Sequence, residues 1–400
     1  MDLRSHSAYW LMKNGLISSY PSLQHNEKTE IAVMGAGITG ALVAWHLCRA
    51  GFKVAIIDKR HAGMGSTAAS TALLQYEIDT PLYELIEKVG EKNAVRSYEY
   101  CSEAIDALEN ICNRFEGKAG FRKRPSLQYA SAKKDVSDLK KEYALRKNNG
   151  FRLQYWDDKK VEDTMGFKAP AALYSSQGAE MDAYRLAHHL LGDCIKKGAA
   201  IYDNTKVESI VHHKKTVTLK TENGMKIECR HLIIACGYES QQYIPQKVET
   251  LHSTYAMVSE PMPDRELWYR NCLIWETATP YLYMRTTTDN RILVGGLDDD
   301  FYAPDKRDAR IAAKTKKLVK DFNKKFPDIP IVPDFQWAGT FASTKDGLPY
   351  IGSIRQRPNT YFALGFGGNG ITFSQIAAEQ ITAAIKGNPH PDLSIFSFNR

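Results

Sequence analysis

The segment Gly35-Ala36-Gly37-Ile38-Thr39-Gly40 restricts the fold of this chain more than any other feature. It follows a short apolar run, Ile31–Met34, and opens a stretch with apolar residues at helical spacing through Leu42, Trp45 and His46. Gly51 ends that stretch as a helix C-cap, and Lys53–Ile57 reads as a second apolar strand. Asp58 lies eighteen residues past Gly40, with Lys59 beside it. Strand, glycine turn, helix, strand and acid in this order make a dinucleotide-binding βαβ unit. Gly35 permits the tight turn, Gly37 lets a pyrophosphate approach the backbone, and Gly40 lets helix and strand pack closely. Around them, Ala36, Ile38 and Thr39 bring backbone N–H groups to the positive end of the helix. Asp58 can accept hydrogen bonds from an adenosine ribose, and its charge repels a 2′-phosphate.

A nicotinamide-dependent dehydrogenase, the alternative of another class, requires further strand–helix repeats after Asp58. The chain enters a small-residue loop instead, running from Gly63 through Gly65, Ser66, Thr67, Ser70 and Thr71 to Ala72. Such a loop is either a flexible surface segment or a backbone cradle beside a flat cofactor.

The 400 residues suit about two to three structural units at roughly 150 residues each, and 43% apolar with 25% charged residues is ordinary for a globular protein. Net charge is +7, which is mild for this size. No basic block interleaved with aromatics points to nucleic acid. Seven cysteines stand singly, without C-x-x-C or Cys/His ligand spacing, and an odd number cannot pair completely. Reduced thiols, no apolar run near the roughly 18 residues of a membrane span, and no signal-peptide core predict a cytoplasmic protein. The histidine pairs His188-His189 and His212-His213 lack partners at metal spacing and read as surface or helix residues, and no metal site is expected.

Elsewhere the pattern predicts helices at about 90–114, 135–149, 184–197, 305–325 and 376–385, and one opened by Thr80 as N-cap with Pro81 following. Strands are predicted at 127–130, 207–211, 217–221, 226–229, 231–236, 251–258, 281–285 and 291–295, with Asn223-Gly224 as a hairpin turn. Tyr9, Trp10, Leu11 and Ile17 are expected to pack an N-terminal lead onto the body.

These marks continue through Gly178–Lys197, His231–Gly237, Trp337-Ala338-Gly339, Asp346–Gly352 and Gly365-Phe366-Gly367-Gly368-Asn369-Gly370-Ile371-Thr372. With them the chain resembles, over nearly its whole length, the D-amino acid oxidase-like FAD-dependent flavoenzymes. That family includes glycine oxidase, monomeric sarcosine oxidase and γ-glutamylputrescine oxidoreductase. The resemblance implies a mixed α/β fold with a Rossmann-like FAD/NAD(P)-binding domain and a second, mixed-sheet substrate domain, both discontinuous. The implied segments are a lead at 1–27, FAD-binding at 28–88, 179–250 and 335–400, and substrate domain at 89–178 and 251–334. It further implies that Val207 meets the adenine side, that Cys236 and Gly237 lie along the ADP moiety, and that Gly339 and Gly368–Thr372 meet the flavin ring.

Departures from the family pattern sharpen the reading. Sarcosine oxidases carry a flavin-linking cysteine where this chain has Gly339, which implies non-covalent FAD. Relatives hold a substrate carboxylate with Arg or Lys at positions that are Gln75, Phe341 and Thr372 here, and a desolvated carboxylate needs such a partner. The implied function is FAD-dependent oxidation of a primary or secondary amine to an imine, then to an aldehyde or oxo product. The electron acceptor is left open, and no catalytic side chain is assigned. Glu77 holds a second ammonium if it faces the pocket; otherwise it is an exposed or helix-flanking acid. Tyr283 and Arg285 are further pocket candidates. One alternative is a glycine, sarcosine or D-amino-acid oxidase in which Arg285, or another Arg of the substrate domain, has become the carboxylate clamp; another is a tRNA-modifying flavoprotein.

Overall fold

The computed structural model describes residues 1–400, apart from the side chains of Glu116 and Lys118. Two eight-stranded sheets and one three-stranded sheet organise the chain. In the first sheet the strands 200–202, 54–57, 27–34, 226–234 and 360–364 run parallel in that order. Strand residues alternate between two faces. Ile31 and Val33 therefore enter one core with the helices 38–49, 91–112, 183–196 and 370–385, while Ala32 and Met34 enter another beneath the antiparallel strands 207–212 and 217–221.

Lys226–Ile234 is one strand, where the sequence suggested two. Its first half pairs with 217–221 and its second half with 360–364, while 27–34 runs along its other side. The polar Arg230-His231 pair marks the change of partner, and it interrupts the apolar pattern without breaking the backbone.

The second sheet orders its strands 333–343, 250–259, 292–299, 283–286, 273–276, 126–129, 171–175 and 153–157. The expected segment boundary at 334/335 falls inside its edge strand Pro333–Ser343. The helix Glu91–Cys112, expected with this sheet, buries its apolar face in the core of the first. The predicted 305–325 helix is two helices, Pro304–Ala309 and Ile311–Lys325, meeting at Arg310. Thr80 is not an N-cap: that helix begins at Leu82, and the Glu142 carboxylate from the helix 136–148 accepts the Leu82 and Tyr83 N–H groups at 2.9 and 3.1 Å. In the lead, Tyr9 and Trp10 are buried whereas Ile17 is exposed. Among the described residues, no helix is long and apolar enough to cross a membrane.

Candidate active site

A cavity of about 330 Å³ runs between the first sheet and the strands 250–259, 283–286, 292–299 and 333–343. One end is made by Gly35, Gly37, Ile38, Thr39, Asp58, Lys59, Val207, Cys236 and Gly237. The small-residue loop contributes Gly65, Ser66, Thr67, Ser70, Thr71 and Ala72 to the wall. The other end is made by Gln75, Tyr283, Gly339, Phe341, Gly368, Asn369, Gly370, Ile371 and Thr372. The fold thus gathers into one cavity residues more than three hundred positions apart. Two motif residues, Ala36 and Gly40, stand behind the lining. Ala36 donates its N–H to Asp58 Oδ2 at 2.8 Å, and a Cβ on Gly40 would overlap the Gly35 carbonyl.

The loop from Gly65 to Ala72 is a held cradle. The Trp337 indole donates to the Ala69 carbonyl at 3.0 Å, Trp10 to Ser70 at 2.6 Å, and Arg285 Nε to Thr71 at 2.7 Å. These bonds tie the carbonyls outward, while the Ala68, Ser70 and Ala72 N–H groups are bonded within the loop and Thr67 Oγ1 accepts the Ile38 N–H at 2.9 Å. Ser66 Oγ is buried there without a partner, and a buried hydroxyl without one is costly. A Cβ on Gly37 would lie 2.9 Å from Thr67 Oγ1, so a side chain at that position has no room. The helices 38–49 and 370–385 both begin at the cavity with no side-chain cap. Their N-termini present positive partial charge to whatever lies between them.

The N-terminal lead adds cover that the sequence pattern did not reveal. Arg4 bridges to Gly339, Thr340 N donates to the Leu3 carbonyl at 2.9 Å, and Leu3 joins the lining opposite Gly65.

A family model described as FAD dependent oxidoreductase matches residues 30–384. The chain belongs to that family of FAD-dependent enzymes. It is 23% identical over 396 residues to the γ-glutamylputrescine oxidoreductase of Escherichia coli, covering 96% of this chain and 89% of that one. It is 24% identical over 395 residues to a probable oxidoreductase, OrdL, of Haemophilus influenzae, covering 94% and 87%. The crystal structure of glycine oxidase from Geobacillus kaustophilus superposes with a TM-score of 0.79 at 20% identity, over 94% of this chain and 99% of that one. The site of this family member accommodates FAD on three counts: the missing side chain at Gly37, the unpartnered Ser66 hydroxyl, and two helix N-termini at the cavity, the first of which gives only its Ile38 N–H to Thr67 Oγ1.

Several pocket candidates sit elsewhere than the sequence suggested. Arg285 is fully buried and does not line the cavity. Its guanidinium donates to the carbonyls of Thr71, Thr286 and Met181 and stands 3.6 Å from Glu180, so it braces the loop and cannot clamp a carboxylate. Glu77 points away from the cavity as well. Its carboxylate lies 3.6 Å from Arg146 Nη1 without a hydrogen bond between them, and burial pushes its pKa up to about 7. What Glu77 does for the site it does through its backbone, whose carbonyl accepts Asn369 Nδ2 at 2.8 Å. The strand ends at Gln75, so the alternation that would turn Glu77 inward stops two residues short. His188 is buried within the helix 183–196, where burial lowers its pKa to about 4.

Other contributors were not legible beforehand. Asp79 accepts the Gly368 N–H at 2.7 Å and the Tyr281 hydroxyl at 3.2 Å, pinning the glycine turn to the second sheet. Asp79 is still reached by water, yet enough protein surrounds it to raise its pKa. Thr254, Tyr281 and Asp298 line the Phe341 end with Tyr283. Among the described residues, the only cations in the lining are Lys59, Arg60 and Lys206, all beside Asp58 or Val207. Lys59 and Arg60 are bonded to Glu239, and Lys206 to Glu222. The Phe341 end holds no Lys or Arg.

Proposed function

We propose that the protein oxidises a primary or secondary amine whose carboxylate is absent or remote from the reacting carbon. The observation that carries this reading is the lack of any Lys or Arg in the lining at the Phe341 end, where Gln75, Phe341 and Thr372 are all uncharged and Arg307 reaches only the Thr340 hydroxyl from outside the lining. A carboxylate desolvated there meets no donor fork or ammonium and has little to offset its lost hydration. Bound FAD supplies the two-electron acceptor for such a C–N centre.

In this reading the chain itself binds, orients and excludes water. Phe341, Tyr281 and Tyr283 wall the substrate against solvent. Gln75 and Thr372 offer neutral polar contacts, and Thr372 Oγ1 is held by donating to the Asn369 carbonyl at 2.9 Å. The N-terminus of the helix 370–385 favours negative charge on its cavity side. At the other end, Asp58 takes the adenosine ribose and Val207 and Cys236 flank it. FAD is held non-covalently in this reading, because position 339 is glycine and Cys236, the one cysteine in the lining, belongs to the Asp58 end.

The test is anaerobic mixing of the purified yellow protein with a panel of amines and amino acids, followed by acid precipitation. Amines bleach the flavin, glycine and sarcosine do so poorly, and FAD appears in the acid supernatant. Bleaching by glycine or sarcosine alone refutes the substrate class, and flavin retained in the pellet refutes non-covalent binding.

A further inference from the structure

The strand Ile292–Asp299 carries an irregularity where it passes the cavity. Its register against 250–259 shifts between the pairs Tyr255–Gly296 and Ser253–Asp299, so Leu297 and Asp298 together oppose Thr254. This is a β-bulge, and Leu297 takes the left-handed backbone conformation at φ 58° to make it. Bulges of this kind re-aim side chains next to functional sites. Here the re-aimed residue is Asp298, which lines the cavity. Just before it, Gly295 seats the Tyr283 ring, since a Cβ there would fall 2.4 Å from the ring atoms. Tyr281 and Tyr283 lie with ring centroids 5.7 Å apart.

Asp298 has no charge partner of its own. Lys314 Nζ is bonded to the Leu297 carbonyl at 2.6 Å and to Asp299 Oδ1 at 2.8 Å, and Arg310 pairs with Asp299 at 3.0 Å. Asp298 Oδ1 is buried with no hydrogen-bond partner. A carboxylate enclosed in this way is costly unless something positive joins it. Tyrosine faces beside it attract the same kind of group.

The geometry points to a receptor for a cationic nitrogen, formed by Asp298 with Tyr281 and Tyr283, so that preferred substrates carry an ammonium group remote from the carbon–nitrogen bond that reacts. The second clause rests on the amine-oxidation reading; the receptor itself does not. Diamines and amines with a distal quaternary nitrogen are the chemical class selected.

Burial, together with Asp79, raises the Asp298 pKa to about 6. The groups facing it are Thr254, Asp79, Lys314, Asp299, Tyr281 and Tyr283. The carboxylate is therefore charged above about pH 6 and neutral below it, and a permanently charged ligand reads this directly.

The experiment is calorimetric titration of the FAD-loaded enzyme with choline and with its neutral isostere, in which a quaternary carbon replaces the nitrogen. Choline binds at least about tenfold tighter than the isostere, the scale of one charge-assisted contact. That preference weakens as pH falls through about 6. Asp298→Asn removes both the preference and its pH dependence, and leaves the isostere's affinity unchanged. Wild-type protein alone decides the matter if the variant fails to fold: equal binding of the two ligands, or a preference flat across that pH range, overturns the receptor. A pH step that persists in Asp298→Asn assigns it to Asp79 and also overturns the proposal. If no amine bleaches the flavin while choline still binds in an Asp298-dependent way, the oxidation reading fails and the receptor stands. If amines bleach it and the isosteres bind alike, the reverse holds.

Discussion

The two ends of the cavity are built from different materials. At the Asp58 end the working parts are backbone: a glycine turn, a helix N-terminus and a loop whose carbonyls are tied outward by Trp10, Trp337 and Arg285. At the Phe341 end a second glycine turn and helix N-terminus, Gly368–Thr372, meet side chains delivered by neighbouring strands of the second sheet, one of them through a bulge. A backbone site tolerates little variation in sequence, because a single Cβ blocks it. A side-chain site can be reshaped residue by residue while the strands stay in place. The cofactor is therefore common to the family, and specificity has to be argued from this chain alone.

The largest expected effect is at the backbone end. Gly37→Leu puts a side chain where even a Cβ approaches Thr67 Oγ1 to 2.9 Å, and the purified protein is expected to be colourless, measured as the flavin-to-protein absorbance ratio. Asp58→Ala comes next. It removes the acid proposed for the ribose and also frees the Ala36 and Arg60 N–H groups that the carboxylate accepts at 2.8 and 2.9 Å. FAD affinity is expected to fall by roughly 1–3 kcal/mol, read from fluorescence titration of the apoprotein. An unchanged constant breaks the contrast at its stronger side.

At the side-chain end of the cavity, Phe341→Arg installs a cation. Activity on glycine or sarcosine is expected to rise by about tenfold in kcat/KM, the scale of a charge-assisted hydrogen bond, while FAD content stays constant. No gain indicates that the ring at 341 does not meet the reacting end of the substrate.

The smallest effect is expected at Glu77, which belongs to neither end. Glu77→Gln leaves KM for amines unchanged and alters only stability. A carboxyl whose pKa rises on folding, here to about 7, contributes most stability below its unfolded value and loses it as pH rises through the folded one. Wild-type melting temperature should therefore fall over the range ending near pH 7, and the variant should show less of that fall.

The same contrast explains what was legible in the sequence. The Asp58 end was readable because glycine spacing, flanking periodicity and one acid are local signals. The loop Gly65–Ala72 was readable as small, though not as held, since Trp10, Arg285 and Trp337 reach it from distant positions. At the other end Gln75, Tyr283 and Phe341 line the cavity, whereas Glu77 was singled out and Asp79, two residues further on, was not. Strand alternation stops at Gln75, and the turn that follows buries one acid beside Arg146 and leaves the other holding Gly368. Asp298 lay in a run of three acids, Asp298–Asp300, that resembles solvated surface. Only the bulge at Leu297 turns one of them inward, and nothing local announces a bulge formed by a non-glycine residue. Arg285 was a reasonable clamp by residue type, yet three carbonyls and Glu180 already engage it.

The most direct test of the central claim is a matched pair that differs only in the α-carboxylate: n-butylamine and norvaline, the latter as both enantiomers. Anaerobic stopped-flow flavin reduction at one pH gives the limiting rate and apparent dissociation constant for each. Butylamine is expected to reduce the flavin, and either norvaline to be poorer by at least about tenfold, chiefly through binding. Faster or tighter reaction with either norvaline enantiomer contradicts the claim, and means that a carboxylate is welcomed at the end of the cavity where no cation stands.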